Sequence, residues 1–194
     1  MSYATELYAK LTEPRRELTE KPTDSELIYD GRIIHVFRDA AELPNGESAT
    51  REVVRHVGAV CVVPLTDDGE VVLVRQFRYP FGRLLLEIPA GKLDSRDEQP
   101  ELAARRELEE ETGLTCTELV HIGDLYSTPG FCDEVIHMYC ARGLHRGTAH
   151  PDDDEFIDTV QLPISTVKDM ILEGCISDSK TQTAILKVFI GHFG

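Results

Sequence analysis

Apolar positions in this chain fall into short runs separated by turn residues, which predicts strands with a few helices interleaved. Gly58 to Leu65 (GAVCVVPL) is apolar throughout, as expected of a strand buried on both faces. Asp67-Asp68-Gly69 turns the chain into a second strand, Glu70 to Arg78, and Leu84 to Ile88 follows. Further strands fit Leu119 to Tyr126, Glu134 to Arg142 and Glu155 to Leu162. Pro163 to Glu173 and Ser179 to about His192 carry helical patterns. Upstream, Glu26 to Leu43 holds two strand-like runs around Asp30-Gly31, a hairpin signal. Pro44-Asn45-Gly46 marks another turn before a third run, Ser48 to His56. Residues 1 to about 24 are polar, with Pro14 and Pro22, and predict a loose or short helical lead-in. The whole predicts an α/β (α+β) protein. A small antiparallel sheet occupies residues 1–57, and a mixed sheet packed between helices occupies 58–194.

One helix changes the picture. Its centre reads Arg106-Glu107-Leu108-Glu109-Glu110-Glu111-Thr112-Gly113-Leu114. At about 100° per residue, Glu107, Glu110 and Glu111 share one arc while Glu109 points away. Leu108 and Ala104 lie beside the acidic stripe and can face a core. Pro100 suits the first turn, and Gly113 suits the left-handed residue that stops a helix. Three like charges on one face repel one another. A hard divalent cation, which takes carboxylate oxygens, would turn that repulsion into ligation.

Net charge and cysteines set the remaining bounds. The 194 residues carry a formal charge of −15, which argues against sequence-independent binding to nucleic acid. A phosphate-containing substrate stays compatible, because a bound metal reverses the local sign. No apolar run approaches a membrane span, and charged residues from Glu6 to Arg16 interrupt any signal-peptide pattern. Cys61, Cys116, Cys132, Cys140 and Cys175 are scattered and odd in number, without zinc-type spacing. They predict buried free thiols in a cytoplasmic protein.

From Glu98 onward the helical stretch resembles the Nudix box, G-x5-E-x7-R-E-U-x-E-E-x-G-U, where U is a bulky aliphatic residue. The match from Glu98 to Leu114 is complete. It departs upstream, where six residues rather than five separate Gly91 from Glu98, which leaves Asp97 as a possible stand-in. Pro129, sixteen residues beyond Gly113, together with REVVRH, VRQFRYP, LEIPAGKLD and STPGFCDE, is similar to the ADP-ribose pyrophosphatase branch of that family.

The resemblance implies an α/β/α sandwich around a mixed sheet, and a homodimer whose N-terminal strands are often exchanged. It implies hydrolysis of ADP-ribose to AMP and ribose 5-phosphate with Mg2+ or Mn2+. Glu107 and Glu111 match metal-ligating positions, with Glu110 beside them, and the carbonyl of Ala90 matches another ligand. Arg106 and Glu98 match a structural pair. The family often takes its general base from a loop after the box. Here that loop is His150 to Glu155, with Glu155 the first choice and Asp153 the second. Arg51, Glu52 and Arg78 are candidates for substrate binding, the first two reaching a partner's site. Tyr29 or Phe37 could stack on adenine, although each also suits a core. His56, His121 and His137 have no metal-like spacing and receive no role.

Alternative substrates are a sugar nucleotide or NADH. A non-catalytic ADP-ribose sensor is a different class of answer. Sensors often lose one of the glutamates, and all three are present here.

Overall fold

A computed structural model describes residues 2–150 and 156–191, and the chain divides into two compact units. The first comprises residues 1–56 together with Gly130–Asp133. It opens with helix α1 (Tyr3–Leu11), capped by the Ser2 hydroxyl accepting from the Thr5 amide. Strands β1 (Lys21–Asp30), β2 (His35–Glu42) and β3 (Ser48–Arg55) form an antiparallel sheet in that order. The short segment 130–133 lines the β3 edge. The Val54 amide donates to the Phe131 carbonyl at 2.7 Å, and the Asp133 amide donates to the Val54 carbonyl at 3.1 Å.

Two expectations for this region change. β1 begins at Lys21 rather than near Glu26, and it tolerates Pro22 because it is an edge strand. The first turn is also longer than a two-residue hairpin. The Gly31 amide bonds the Ile34 carbonyl at 3.0 Å, so Ile33 and Ile34 lie in the loop. Their apolar character imitates a strand, but Ile33 is 63% exposed.

The second unit holds β4 (Ala59–Pro64), β5 (Glu70–Arg78), β6 (Arg83–Glu87), β7 (Ala90–Lys92), α2 (Pro100–Thr112), β8 (Leu114–Tyr126), β9 (Val135–Arg146), β10 (Ile157–Pro163), α3 (Ile164–Leu172) and α4 (Ser179–Gly191). One sheet runs β7-β4-β9-β8, with β4 and β9 parallel and its other pairs antiparallel. A second, antiparallel sheet runs β10-β5-β6.

β4 explains the layering. Val60 and Val62 pack into one core with Ala103, Ala104 and Leu108 of α2. Cys61 and Val63 pack into another with Val167 of α3 and Ala184, Ile185 and Val188 of α4. Alternate side chains of one apolar strand thus feed two cores, giving helix, sheet and helix in turn. This is the α+β architecture expected, with its small N-terminal sheet.

β7 was not foreseen. Its three residues pair with Ala59–Cys61 of β4 and are too few to carry a periodic signal. The thiols differ too: Cys61 and Cys140 are buried, whereas Cys116 and Cys132 are half-buried and Cys175 is exposed. Burial pushes the Cys61 thiol up to about 12, which keeps it inert.

Leu108 is fully buried, and truncation leaves a cavity against β4. Leu108→Ala should cost about 2–5 kcal/mol in urea unfolding. Leu102→Ala, on the exposed side of the same helix, should cost under about 0.5 kcal/mol.

Candidate active site

α2 carries the chemistry, and its ends follow its sequence. Pro100 occupies the first turn, and Gly113 stops the helix at φ 69° with its amide on the Glu109 carbonyl. Between them, Ala103, Ala104, Leu108 and Glu111 are buried while Glu109 is exposed. Glu111 is 5% exposed, and its Oε2 accepts from the Ala90 amide at 3.0 Å.

Arg106 gathers the other carboxylates. Its Nη1 donates to Glu107 Oε1 at 2.7 Å and to Glu110 Oε2 at 3.1 Å. Its Nη2 lies 3.5 Å from Glu98 Oε1 and 3.4 Å from the Lys92 carbonyl. Burial alone would lower the basicity of Arg106, but the attraction of Glu107 and Glu110 raises it.

Glu98, not Asp97, meets Arg106. Its Oε2 also accepts from the Asp94 amide at 2.6 Å, while Asp97 is exposed and bonds Ser95 through its own amide. The extra residue is absorbed within the turn from Asp94 to Glu98, where the Glu98 amide bonds the Ser95 carbonyl.

The Ala90-Gly91 turn is fixed by β4, since Val62 donates to Pro89 and Leu93 donates to Gly58. Gly91 makes room for Glu107. A Cβ there would stand 2.0 Å from the carboxyl carbon of Glu107. Glu107 and Glu111 therefore close on this turn from α2. An all-oxygen set of this kind suits a hard divalent cation.

The model named NUDIX domain matches residues 54–177. The chain belongs to the Nudix family. Residues 20–54 match the nucleoside diphosphate sugar hydrolase N-terminal domain. A methanol dehydrogenase activator from Bacillus methanolicus is 43% identical over 86% of this chain and 90% of its own length. An ADP-ribose pyrophosphatase from Bacillus subtilis (strain 168) is 40% identical over 88% of this chain and 92% of its own length. A crystal structure described as an ADP compounds hydrolase shares the fold at TM-score 0.77 and 23% identity, covering 88% of this chain and 94% of that one. The protein is a Nudix hydrolase.

The remaining expected residues of the hydrolase are placed unevenly. Arg78 turns its guanidinium onto Glu87, with Nε to Oε1 at 2.7 Å and Nη2 to Oε2 at 2.8 Å. The bidentate carboxylate partner of Arg78 is thus in its own chain, a pairing that sequence inspection missed. Glu87 also takes Lys180, which in turn bonds Asp178 at 3.0 Å. In the N-terminal unit, Arg51 pairs with Glu20 at 2.5 Å, and Glu52 stands in register with Arg38. Tyr29 is 57% exposed on β1, so it is not core, whereas Phe37 lies under the Arg55 guanidinium. Glu155 and Asp153 lie outside the described residues.

A cleft of about 510 Å³ opens beside the C-terminal end of α2, lined by Thr112, Gly113, Leu144, Arg146 and Thr159 among others. None of the helical glutamates lines it. The described helices include none long and apolar enough to cross a membrane.

Glu87 generates a pH prediction. Burial raises its affinity for a proton, but Arg78 and Lys180 outweigh that and hold its pKa below the usual value. A depressed carboxylate stabilises the fold above its unfolded pKa and loses that contribution as pH falls through the folded one. Glu87→Gln should therefore destabilise by about 3–5 kcal/mol near neutral pH, since Arg78 loses its carboxylate and Lys180 is left with Asp178 alone. The gap from wild type should narrow below about pH 4.3 in denaturation curves taken across pH.

Proposed function

We propose that this Nudix hydrolase cleaves the pyrophosphate of ADP-ribose, adding one water across the P–O–P bridge to release AMP and ribose 5-phosphate. The observation that carries the reading is the acidic face of α2 at the Ala90-Gly91 turn: Glu107 and Glu110 held by Arg106, and Glu111 on the Ala90 amide. The likeness to an ADP-ribose pyrophosphatase over most of both chains supports the substrate.

Glu107, Glu110, Glu111 and the Ala90 carbonyl would hold Mg2+ or Mn2+. When bound, such a cation neutralises pyrophosphate charge and provides a nucleophile at neutral pH. Arg106 and Glu98 orient the carboxylates and the loop before α2. Glu155, with Asp153 second, is the candidate base for the attacking water. Its support is positional. The His150 amide, just before that segment, bonds the Glu110 carbonyl at 3.0 Å, and β10 begins just after it.

Arg78 remains a candidate for substrate binding near Glu111, which adds to the pull on its proton. Arg51, Glu52 and Tyr29 are kept for a homodimer built on the N-terminal sheet. Leu27, Ile28, Tyr29, Ile33 and Ile34 all expose apolar surface there.

The relative named for activating a dehydrogenase keeps a second substrate in view: another nucleoside diphosphate derivative, such as NADH or a sugar nucleotide. Incubating the protein with ADP-ribose, NADH and a sugar nucleotide, each with Mg2+ and with a chelator, separates these. Chelator-sensitive release of AMP fastest from ADP-ribose is expected. Preference for another member of the panel would replace the substrate, and no turnover of any would reject the enzyme.

Three outcomes follow for variants and assembly. Glu107→Gln and Glu111→Gln should each lower kcat by orders of magnitude while Glu109→Gln changes it little, as read from initial rates. Glu155→Gln should lower kcat about 10²–10⁴-fold with substrate affinity nearly kept, and Asp153→Asn should do less. Sedimentation at micromolar concentration should show a dimer. A fully active monomer would remove Arg51 and Glu52 from any shared site.

A further inference from the structure

A second cluster of metal-competent side chains lies on β8 and β9, and a backbone irregularity creates it. In a regular strand, residues three apart face opposite sides. His121 and Asp124 would therefore diverge. The register instead pairs His121 with Tyr139, Gly123 with Met138 and Asp124 with His137, so a bulge at Ile122 and Gly123 takes up one residue. His121 and Asp124 then share the face of Tyr139 and His137. Gly123 sits at φ 121°, which other residues rarely adopt, and a Cβ there would also fall 2.5 Å from Lys187 Nζ.

On that face Asp124 Oδ1 lies 2.9 Å from His121 Nε2 and 2.8 Å from His137 Nδ1. The three atoms all lie within 4.8 Å of one another. All three side chains keep access to solvent, at 49%, 44% and 25% for His121, Asp124 and His137.

We propose that His121, Asp124 and His137 form a binding site for one zinc-class divalent cation, separate from the helical carboxylates. Two imidazole nitrogens and one carboxylate oxygen select borderline transition metals over magnesium, which takes oxygen alone. Three protein donors with solvent at the fourth position match a tetrahedral zinc site. The donors already hold one another through Asp124, so binding exchanges two hydrogen bonds for coordination and needs no rearrangement of the strands.

The site has a defined place relative to α2. Asp124 pairs with His137, His137 aligns with Val60, and Val60 pairs with Gly91. One row thus crosses the sheet from the cluster to the glycine beneath Glu107. With strands about 4.8 Å apart, the backbones of His137 and Gly91 are about 10 Å apart. The two sets come from different elements, β8 and β9 against α2 and β7, and each can be emptied by its own substitutions.

The test is a calorimetric titration of metal-stripped full-length protein with Zn2+, with millimolar Mg2+ present throughout. About one equivalent of Zn2+ should bind in wild type and in Glu111→Gln, and none at this site in His121→Ala, His137→Ala or Asp124→Asn. Co2+ should give the strong visible absorption of a tetrahedral site in the first two proteins alone. Asp124→Asn keeps size and hydrogen bonding, so its loss of binding with an unchanged zinc-free melting curve rules out a folding artefact. Absence of Zn2+ binding in wild type would overturn the proposal. So would binding that survives the three substitutions, or that disappears in Glu111→Gln. In those cases the cluster is a hydrogen-bonded trio only, or the ion sits on the thiols or the helix.

Discussion

Arg106 donates to Glu107 and Glu110 from one nitrogen and approaches Glu98 and the Lys92 carbonyl with another. Without it, the acidic face of α2 would be under strain. Two like charges 4 Å apart near a protein surface repel by about 4 kcal/mol. A shared guanidinium returns attraction of comparable size and fixes the carboxylates in one arrangement. The same side chain ties α2 to the loop that precedes it, because Glu98 also accepts from the Asp94 amide. Helix, loop and the β4-anchored turn at Ala90-Gly91 are thereby held to one geometry.

A contrast within the second unit bears on the proposed cation. Glu87, Asp178 and Lys180, largely buried, and the half-exposed Arg78 form a network with two charges of each sign. It closes on itself and serves the fold. Around α2, three carboxylates (Glu98, Glu107 and Glu110) meet the guanidinium of Arg106, and Glu111 lies buried against the Ala90 amide. A divalent ion would suit so acidic a face, and Gly91 leaves room there, since a Cβ would displace the Glu107 carboxylate.

The strands of both units and the three long helices of the catalytic one were largely legible, because burial writes apolar periodicity into sequence. β4 is the clearest case: GAVCVVPL could only serve two cores. The α2 carboxylates were legible from helical angle and motif together. What escaped has a common physical origin in contacts distant along the chain. Glu87 reads as one more polar residue at a strand end, yet it meets Lys180 ninety-three positions later. His121 and His137 looked unrelated because their meeting depends on cross-strand register and a one-residue bulge. β7 was too short to show a period, and Ile33-Ile34 imitated a strand in a loop. The inserted residue before Glu98 could be weighed only with the turn in view, where it is absorbed without displacing Glu98 from Arg106.

The segment Gly130–Asp133 belongs with the N-terminal strands although seventy-three residues of the other unit, 57–129, precede it. This sets an order of events during synthesis. β3 emerges with the Val54 amide and carbonyl unpaired on its outer edge, and their partners, Phe131 and Asp133, are not yet made. At about 5–20 residues per second, that edge stays open for roughly 4–15 s. An unpaired strand edge is a template for other chains. The β3 edge is therefore made well before the segment that covers it, and its exposure in the interval is written into the order of the chain.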